Sequence, residues 1–182
     1  SVDTSKPEVM RAAVAAGADM INDVRALREP GALVTCAGLA VPICLMHMQG
    51  QPRTMQQNPQ YTDVVADVSQ FFAERIQACV AAGINPERLI LDPGFGFGKT
   101  LQHNIDLLAR LDTFSSFGLP ILVGLSRKSM LGALLDNRPI DGRLYGSVAA
   151  AVIAALKGAT IVRVHDVAAT VDAMKIVNAL RT

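Results

Sequence analysis

Eleven polar residues of this chain have types and positions suited to shared chemistry: Asp3, Asn22, Asp23, His47, Asp92, Ser126, Arg127, Lys128, Arg163, His165 and Asp166. Each follows a short apolar run, so each falls at or just past the C-terminal end of an expected strand. Asp3, Asn22 and Asp92 stand on three different strand ends. A carboxylate there is costly to desolvate alone and needs donors. Together the three fit a ligand edge rich in N–H groups, such as a 2-amino-4-oxo pyrimidine ring. Gly124-Leu125-Ser126-Arg127-Lys128-Ser129 adds a hydroxyl and two cations where a helix should begin, a setting suited to an anion. Arg163 and His165 lie two apart, which on a strand points both to one side. Plainer roles compete throughout. Any of the acids could cap a helix or start a turn, with Asn22 or Asp23 doing so after its strand. Arg163 could pair with a strand-end Asp, and His47 could be a packed core or rim histidine. His103 falls on a helix and reads as surface.

The loudest local phrase is Asp92-Pro93-Gly94-Phe95-Gly96-Phe97-Gly98-Lys99-Thr100. As a phosphate loop it fails where Pro93 replaces the first Gly, and it lies mid-chain. As a dinucleotide fingerprint it fails because its glycines are spaced by two. A flexible turn remains possible. So does a turn that bares Asp92 and lets a planar ligand approach the backbone, walled by Phe95 or Phe97.

The elements that must position these groups follow from a repeated pattern. Ala15–Val24 resembles Leu156–Val167, with a looser copy at Ala81–Pro93: an Ala-rich helix end, a Gly, a β-branched run, then polar residues. The Gly fits the left-handed close of a helix, and the run fits a strand buried on both faces. Six strands are expected, ending near Asp3, Asn22–Asp23, Met46–His47, Asp92, Ser126 and His165. Helices lie between them: one opened by a Ser5-x-x-Glu8 capping box and stopped at Gly17, and a short one from Pro30 to near Gly38. Thr62 caps a long helix to about Ala82. Others cover Leu101–Leu111, a start near Lys128, Leu144–Leu156 and Thr170–Leu180. Alternating strand and helix argues for one α/β domain over 1–182 with a parallel sheet, whose strand C-termini form the ligand rim.

The 182 residues are 51% hydrophobic and 18% charged, with net charge +1, which excludes a disordered chain and offers no electrostatic footprint for nucleic acid or an anionic membrane. The longest apolar run, Val148–Leu156, is far short of the ~20 residues of a membrane span. Cys36, Cys44 and Cys79 show no metal or redox spacing and read as buried thiols of a reduced, cytoplasmic protein.

Ser1-Val2-Asp3-Thr4-Ser5, Ile21-Asn22-Asp23, Leu45-Met46-His47-Met48, Asp92 to Lys99, Gly124 to Ser129 and Arg163 to Val167 together resemble the dihydropteroate synthases of bacterial type, in order along the whole chain. The resemblance implies a (β/α)8 barrel and the condensation of 6-hydroxymethyl-7,8-dihydropterin diphosphate with p-aminobenzoate in folate synthesis. It implies that Asp3, Asn22 and Asp92 hold the pterin edge and that Lys128 reaches the ring carbonyl and nitrogen. Arg163 would stack on the pterin face and, with His165, hold the diphosphate. Ser126, Arg127 and Phe97 would line the p-aminobenzoate pocket, the one that sulfonamides mimic. Lys128, Arg163, His165 and Asp92 are then the catalytic groups.

Six units at ~31 residues each fall two short of a barrel of ~250 residues. The resemblance therefore implies the C-terminal six units, without the family's Mg²⁺-holding Asn and its mobile loops. It also implies a cytoplasmic homodimer whose partners are small molecules. Such a piece is expected to bind pterin weakly and turn over negligibly. Two other readings remain: a pterin-binding methyltetrahydrofolate methyltransferase, which has no diphosphate to grip, and an inactive truncated product acting only by association.

Overall fold

Each apolar run that follows an Ala-Gly helix end becomes a parallel strand. The computed structural model describes residues 1–50, 55 and 57–180. Six strands alternate with seven helices among them: β1 Val2–Asp3, α1 Pro7–Ala15, β2 Ile21–Asp23, α2 Ala32–Ala37, β3 Ile43–Met46, α3 Val64–Ala81, β4 Leu89–Asp92, α4 Leu101–Ala109, β5 Leu122–Val123, α5 Ser129–Leu134, α6 Leu144–Leu156, β6 Ile161–Val162 and α7 Val167–Ala179. Strands β1 to β4 form one parallel sheet in sequence order, and β5 pairs with β6. A parallel bridge from Leu91 to Ile121 joins the two, so neighbours in sequence are neighbours in space throughout.

Register decides which side chains share a face. Asp3 aligns with Asn22, Asn22 with Cys44 and Cys44 with Ile90, while Met46 aligns with Asp92. In-register residues of parallel strands point the same way. Cys44, Ile90 and Leu122 pack with Met20 and Ile161 on that side. The opposite side carries Ile21, Ile43, Leu45 and Leu89, packed on Met10, Cys36, Cys79 and Ile84 beneath the helices. A second helix-side cluster centres on Phe72 of α3, edge-on to Phe114 at 5.5 Å and Phe117 at 6.0 Å. The three cysteines are free and buried.

Several boundaries differ from the sequence expectation. Ser5 and Glu8 make no capping box, because Lys6 is the N-cap, Pro7 opens the helix, and the Ser5 hydroxyl donates to Asp23 instead. The cap of α3 is Asp63 rather than Thr62: its carboxylate accepts from Val65 N at 2.9 Å and Ala66 N at 3.1 Å, two orphan amides a hydroxyl could not satisfy as well. Helix α4 ends at Ala109 and continues as a 3-10 segment, Leu111–Phe117. Helix α7 begins at Val167, three residues early, and Asp166 gives it no side-chain cap because Arg127 occupies that carboxylate. Strands β5 and β6 stop at Val123 and Val162, well before Ser126 and His165.

Candidate active site

Four strand ends and two loops converge on the side of the sheet that Cys44 and Ile90 floor. Asn22 and Asp92 are both buried there, 3% and 2% exposed. Asn22 Nδ2 donates to Asp3 Oδ1 at 2.5 Å. That bond fixes the amide so that Asn22 Oδ1, itself buried, has no donor. A buried carbonyl oxygen without a partner is costly and marks a place for a ligand N–H. Asp92 accepts from Gly94 N at 2.8 Å through Oδ1. Burial pushes its carboxyl pKa up, opposed by Lys128, the Gly94 N–H, Arg163 and Lys99. The site thus joins a desolvated carboxylate and an unpaired carbonyl oxygen under a rim of cations.

Asp23, next to Asn22, has the plainer role. It lies on the helix side and accepts from Ser5 Oγ, Arg25 N at 2.8 Å and Leu27 N at 2.8 Å, so it builds the turn after β2.

The cations come from three directions. Lys128, the N-cap of α5, donates Nζ to Phe95 O and sits 4.9 Å from the centre of the Phe97 ring. Burial lowers its pKa to about 8 against the opposing pull of Asp92. The helix that follows is only six residues long. Arg163 lies past β6, its guanidinium against Gly124, with Nη1 3.5 Å from Asp3 Oδ2. Strand alternation does not orient Arg163 and His165, because β6 ends before both. What orients His165 is Ser126: the buried hydroxyl lies 3.2 Å from His165 N and 3.1 Å from its Nδ1. Gly124, Ser126, Lys128, Arg163 and His165 line one small cavity of about 160 Å³.

Arg127 is engaged by a carboxylate. Its φ is +60° and its fork closes on Asp166, Nε to Oδ2 at 3.0 Å and Nη2 to Oδ1 at 2.5 Å. A bidentate carboxylate satisfies that guanidinium and holds it there. Phe97 stays at the site, half-buried under Lys128, whereas Phe95 is fully buried in the core.

The glycine loop is shaped by close approach. A Cβ on Gly94, at φ +67°, would meet His47 O at 1.9 Å, and one on Gly98, at φ +62°, would meet Gln49 O at 2.4 Å. The loop therefore lies directly on the backbone that follows β3. His47 is buried and packs edge-on against Phe71 at 4.8 Å, a structural rim residue. His103 makes a reciprocal capping box with Thr100.

Sequence reasoning passed over Lys99. It is 4% exposed, and Nζ reaches His47 Nδ1 at 2.9 Å and the carbonyls of Gly94 and Phe97 at 3.0 Å each. Burial lowers its pKa to about 7. The available signal was the loop itself, whose turned-in carbonyls need donors. Among the described residues no three His, Cys, Asp or Glu side chains gather as a metal site. No helix there is long and apolar enough to cross a membrane.

Comparison with known proteins gives this geometry relatives. Residues 1–165 match the family described as pterin binding enzyme. Dihydropteroate synthase of Escherichia coli K12 is 60% identical over 179 residues, covering 98% of this chain and 63% of that protein. The Haemophilus influenzae enzyme of the same name is 59% identical, covering 97% of this chain and 64% of its own length. Among solved structures, the Yersinia pestis dihydropteroate synthase with a sulfonamide drug superposes with TM-score 0.96 at 58% identity, over 99% of this chain and 65% of that one. The Xanthomonas albilineans enzyme with 7,8-dihydropteroate gives 0.93 at 54%, over 100% and 68%. The chain therefore spans a little under two thirds of the curated relatives it matches.

Proposed function

This chain belongs to the pterin-binding enzyme family, and on that premise we propose that its chemistry is dihydropteroate synthesis. In that reaction p-aminobenzoate displaces diphosphate from 6-hydroxymethyl-7,8-dihydropterin diphosphate. The observation that carries the proposal is the pairing of unpartnered Asn22 Oδ1 with the buried carboxylate of Asp92. A pterin edge offers amino and ring N–H donors to Asn22 Oδ1 and to the Asp92 oxygen that Gly94 N does not use. Lys128 supplies the complementary donor for the ring carbonyl and nitrogen, and Asp3, which accepts from Asn22 Nδ2, holds the same pterin edge.

The reaction needs charge neutralised on the leaving group and an amine held in line. Arg163 and His165 grip the diphosphate and stabilise the charge that grows as the C–O bond breaks. Positive charge left on the pterin methylene spreads into the ring whose edge Asp92 holds. The amine of p-aminobenzoate then attacks that carbon and loses a proton. It requires position more than activation, supplied by Ser126 at its carboxylate and by Phe97 along its ring. No covalent enzyme nucleophile is required.

The six βα units, one domain over 1–182, are six of the eight of a (β/α)8 barrel, supported by six parallel strands in sequence order. A cytoplasmic setting is supported by three free, buried thiols. A homodimer is supported by the apolar side chains that α6 and α7 expose, Ile153, Leu156, Val171 and Ile176 among them. Mg²⁺ is expected with the full-length enzyme, and no step is assigned to it here.

Calorimetric titration with a pterin analogue, then with p-aminobenzoate and diphosphate together, tests the reading. Weak pterin binding and competition between diphosphate and a pterin diphosphate are expected. Absence of that competition would favour a methyltransferase. Turnover by the 182-residue chain matching that of a full-length relative would overturn the expectation that this chain alone is nearly inactive.

A further inference from the structure

We propose that Lys99 is a positioning residue that locks the glycine loop 94–98 and thereby sets Phe97 and Lys128 for the incoming amine. The proposal rests on the reaction proposed above only in what Phe97 and Lys128 touch. Below its pKa of about 7 the Lys99 ammonium has three N–H donors. Lys99 Nζ meets three close acceptors, Gly94 O and Phe97 O at 3.0 Å and His47 Nδ1 at 2.9 Å. Two of these belong to the loop and the third to the segment after β3, so one side chain folds the loop on itself and ties it to the sheet. His47 can accept because it is neutral: burial, Lys99 and Arg28 hold its pKa at about 2. The imidazole is then the tautomer with its proton on Nε2.

What Lys99 fixes leads straight to the site. Phe95 O, inside the locked stretch, accepts from Lys128 Nζ, and the Phe97 ring lies under the same ammonium. Gly96 N is held by Asn104 Oδ1 at 2.7 Å and Gly98 O by Tyr61 Oη at 2.8 Å. These side chains hold the outer points of the loop, whereas Lys99 holds its two inner carbonyls. A lysine that only filled space would not need three acceptors at hydrogen-bond distance, and methionine would serve that purpose without desolvating a charge.

Lys99→Met, compared with the unchanged 182-residue chain, tests the assignment by three readouts. Calorimetry should show 4-aminobenzoate, added over a pterin analogue and diphosphate, binding about tenfold more weakly. In a Phe97→Ala background the same substitution should add little, because the path runs through Phe97. Amides 94–98 should exchange faster with solvent while those of α3 keep their protection. Full additivity with Phe97→Ala would show that Lys99 serves the fold alone, and unchanged exchange at 94–98 would show that no lock exists. If the unchanged chain binds neither ligand, the proposed reaction fails, and the exchange result still decides the lock. Should Lys99→Met not fold, Lys99→Gln keeps two donors and should give the same pattern at smaller size.

Discussion

Replacing Asp92 by Asn separates binding from stability, because the two should move in opposite directions. Asp92 gives one oxygen to Gly94 N and leaves the other for a ligand. Charge-assisted hydrogen bonds are worth about 1.5–3 kcal/mol against about 0.5–1.5 for neutral ones. Asp92→Asn therefore forfeits about 1 kcal/mol at the ligand bond. The amide also turns an N–H toward a pterin donor, and an unsatisfied buried donor costs about 1–3 kcal/mol. The total of roughly 3 kcal/mol predicts pterin affinity lower by about a hundredfold, at about 1.4 kcal/mol per factor of ten.

Stability should respond the other way. The Asp92 pKa is raised in the folded chain even with Lys128, Arg163 and Lys99 opposing, so burial outweighs the cations. A carboxyl whose folded pKa lies above its unfolded value binds more protons when folded. Its contribution to stability then falls as pH rises from the unfolded carboxyl value through the folded one. Asp92→Asn removes that loss. Urea unfolding at pH 4 and pH 7 should show the variant gaining on the parent at the higher pH, while calorimetry shows pterin binding lost. A variant that is less stable at pH 7 yet binds pterin normally would refute both halves.

Three further outcomes follow from the same geometry. Gly94→Ala and Gly17→Ala both place Ala at positive φ, at a cost of about 1–2 kcal/mol each. Only the first meets a backbone oxygen, whereas nothing lies within 4 Å of the second, so thermal melting should fall distinctly further for Gly94→Ala. Phe72→Ala empties the ring cluster with Phe114 and Phe117 and should lose about 3–5 kcal/mol, a fall of roughly 10 °C in melting temperature by calorimetry. With its pKa near 8, Lys128 must take up a proton when pterin binds above that pH. Affinity should decline as pH rises through about 8, with proton uptake visible in buffers of different ionisation enthalpy, and Lys128→Met should abolish the uptake. For the free chain the sign reverses: between about 8 and the unfolded value of 10.5 the folded state has already released this proton, so the group's contribution to stability rises with pH.

What the sequence made legible was whatever apolar periodicity controls. A run such as Leu89-Ile90-Leu91 must be a buried strand, and the first polar residue after it must stand at the rim, which placed Asp3, Asn22 and Asp92 correctly. The less legible features are those in which two polar groups compete for one partner. Asp166 could cap α7 or bind Arg127. It binds Arg127, and this shortens the reach of Arg127 and leaves α7 without its side-chain cap. Ser5 could cap α1 or serve Asp23, and it adds a third donor to the buried Asp23 carboxylate beside Arg25 N and Leu27 N.

Lys99 was hidden for a different reason. Its acceptors include the backbone carbonyls of Gly94 and Phe97, which every residue carries and no sequence displays. Yet the glycines announced it indirectly. A loop pressed onto His47 O and Gln49 O has little room for water on that side, so its inward carbonyls must find a donor from the protein. The nearest long donor in the phrase is Lys99, directly after its last glycine. Glycine and lysine in this loop therefore answer one physical demand. The glycines permit the close approach, and the lysine satisfies the polar groups that the approach buries.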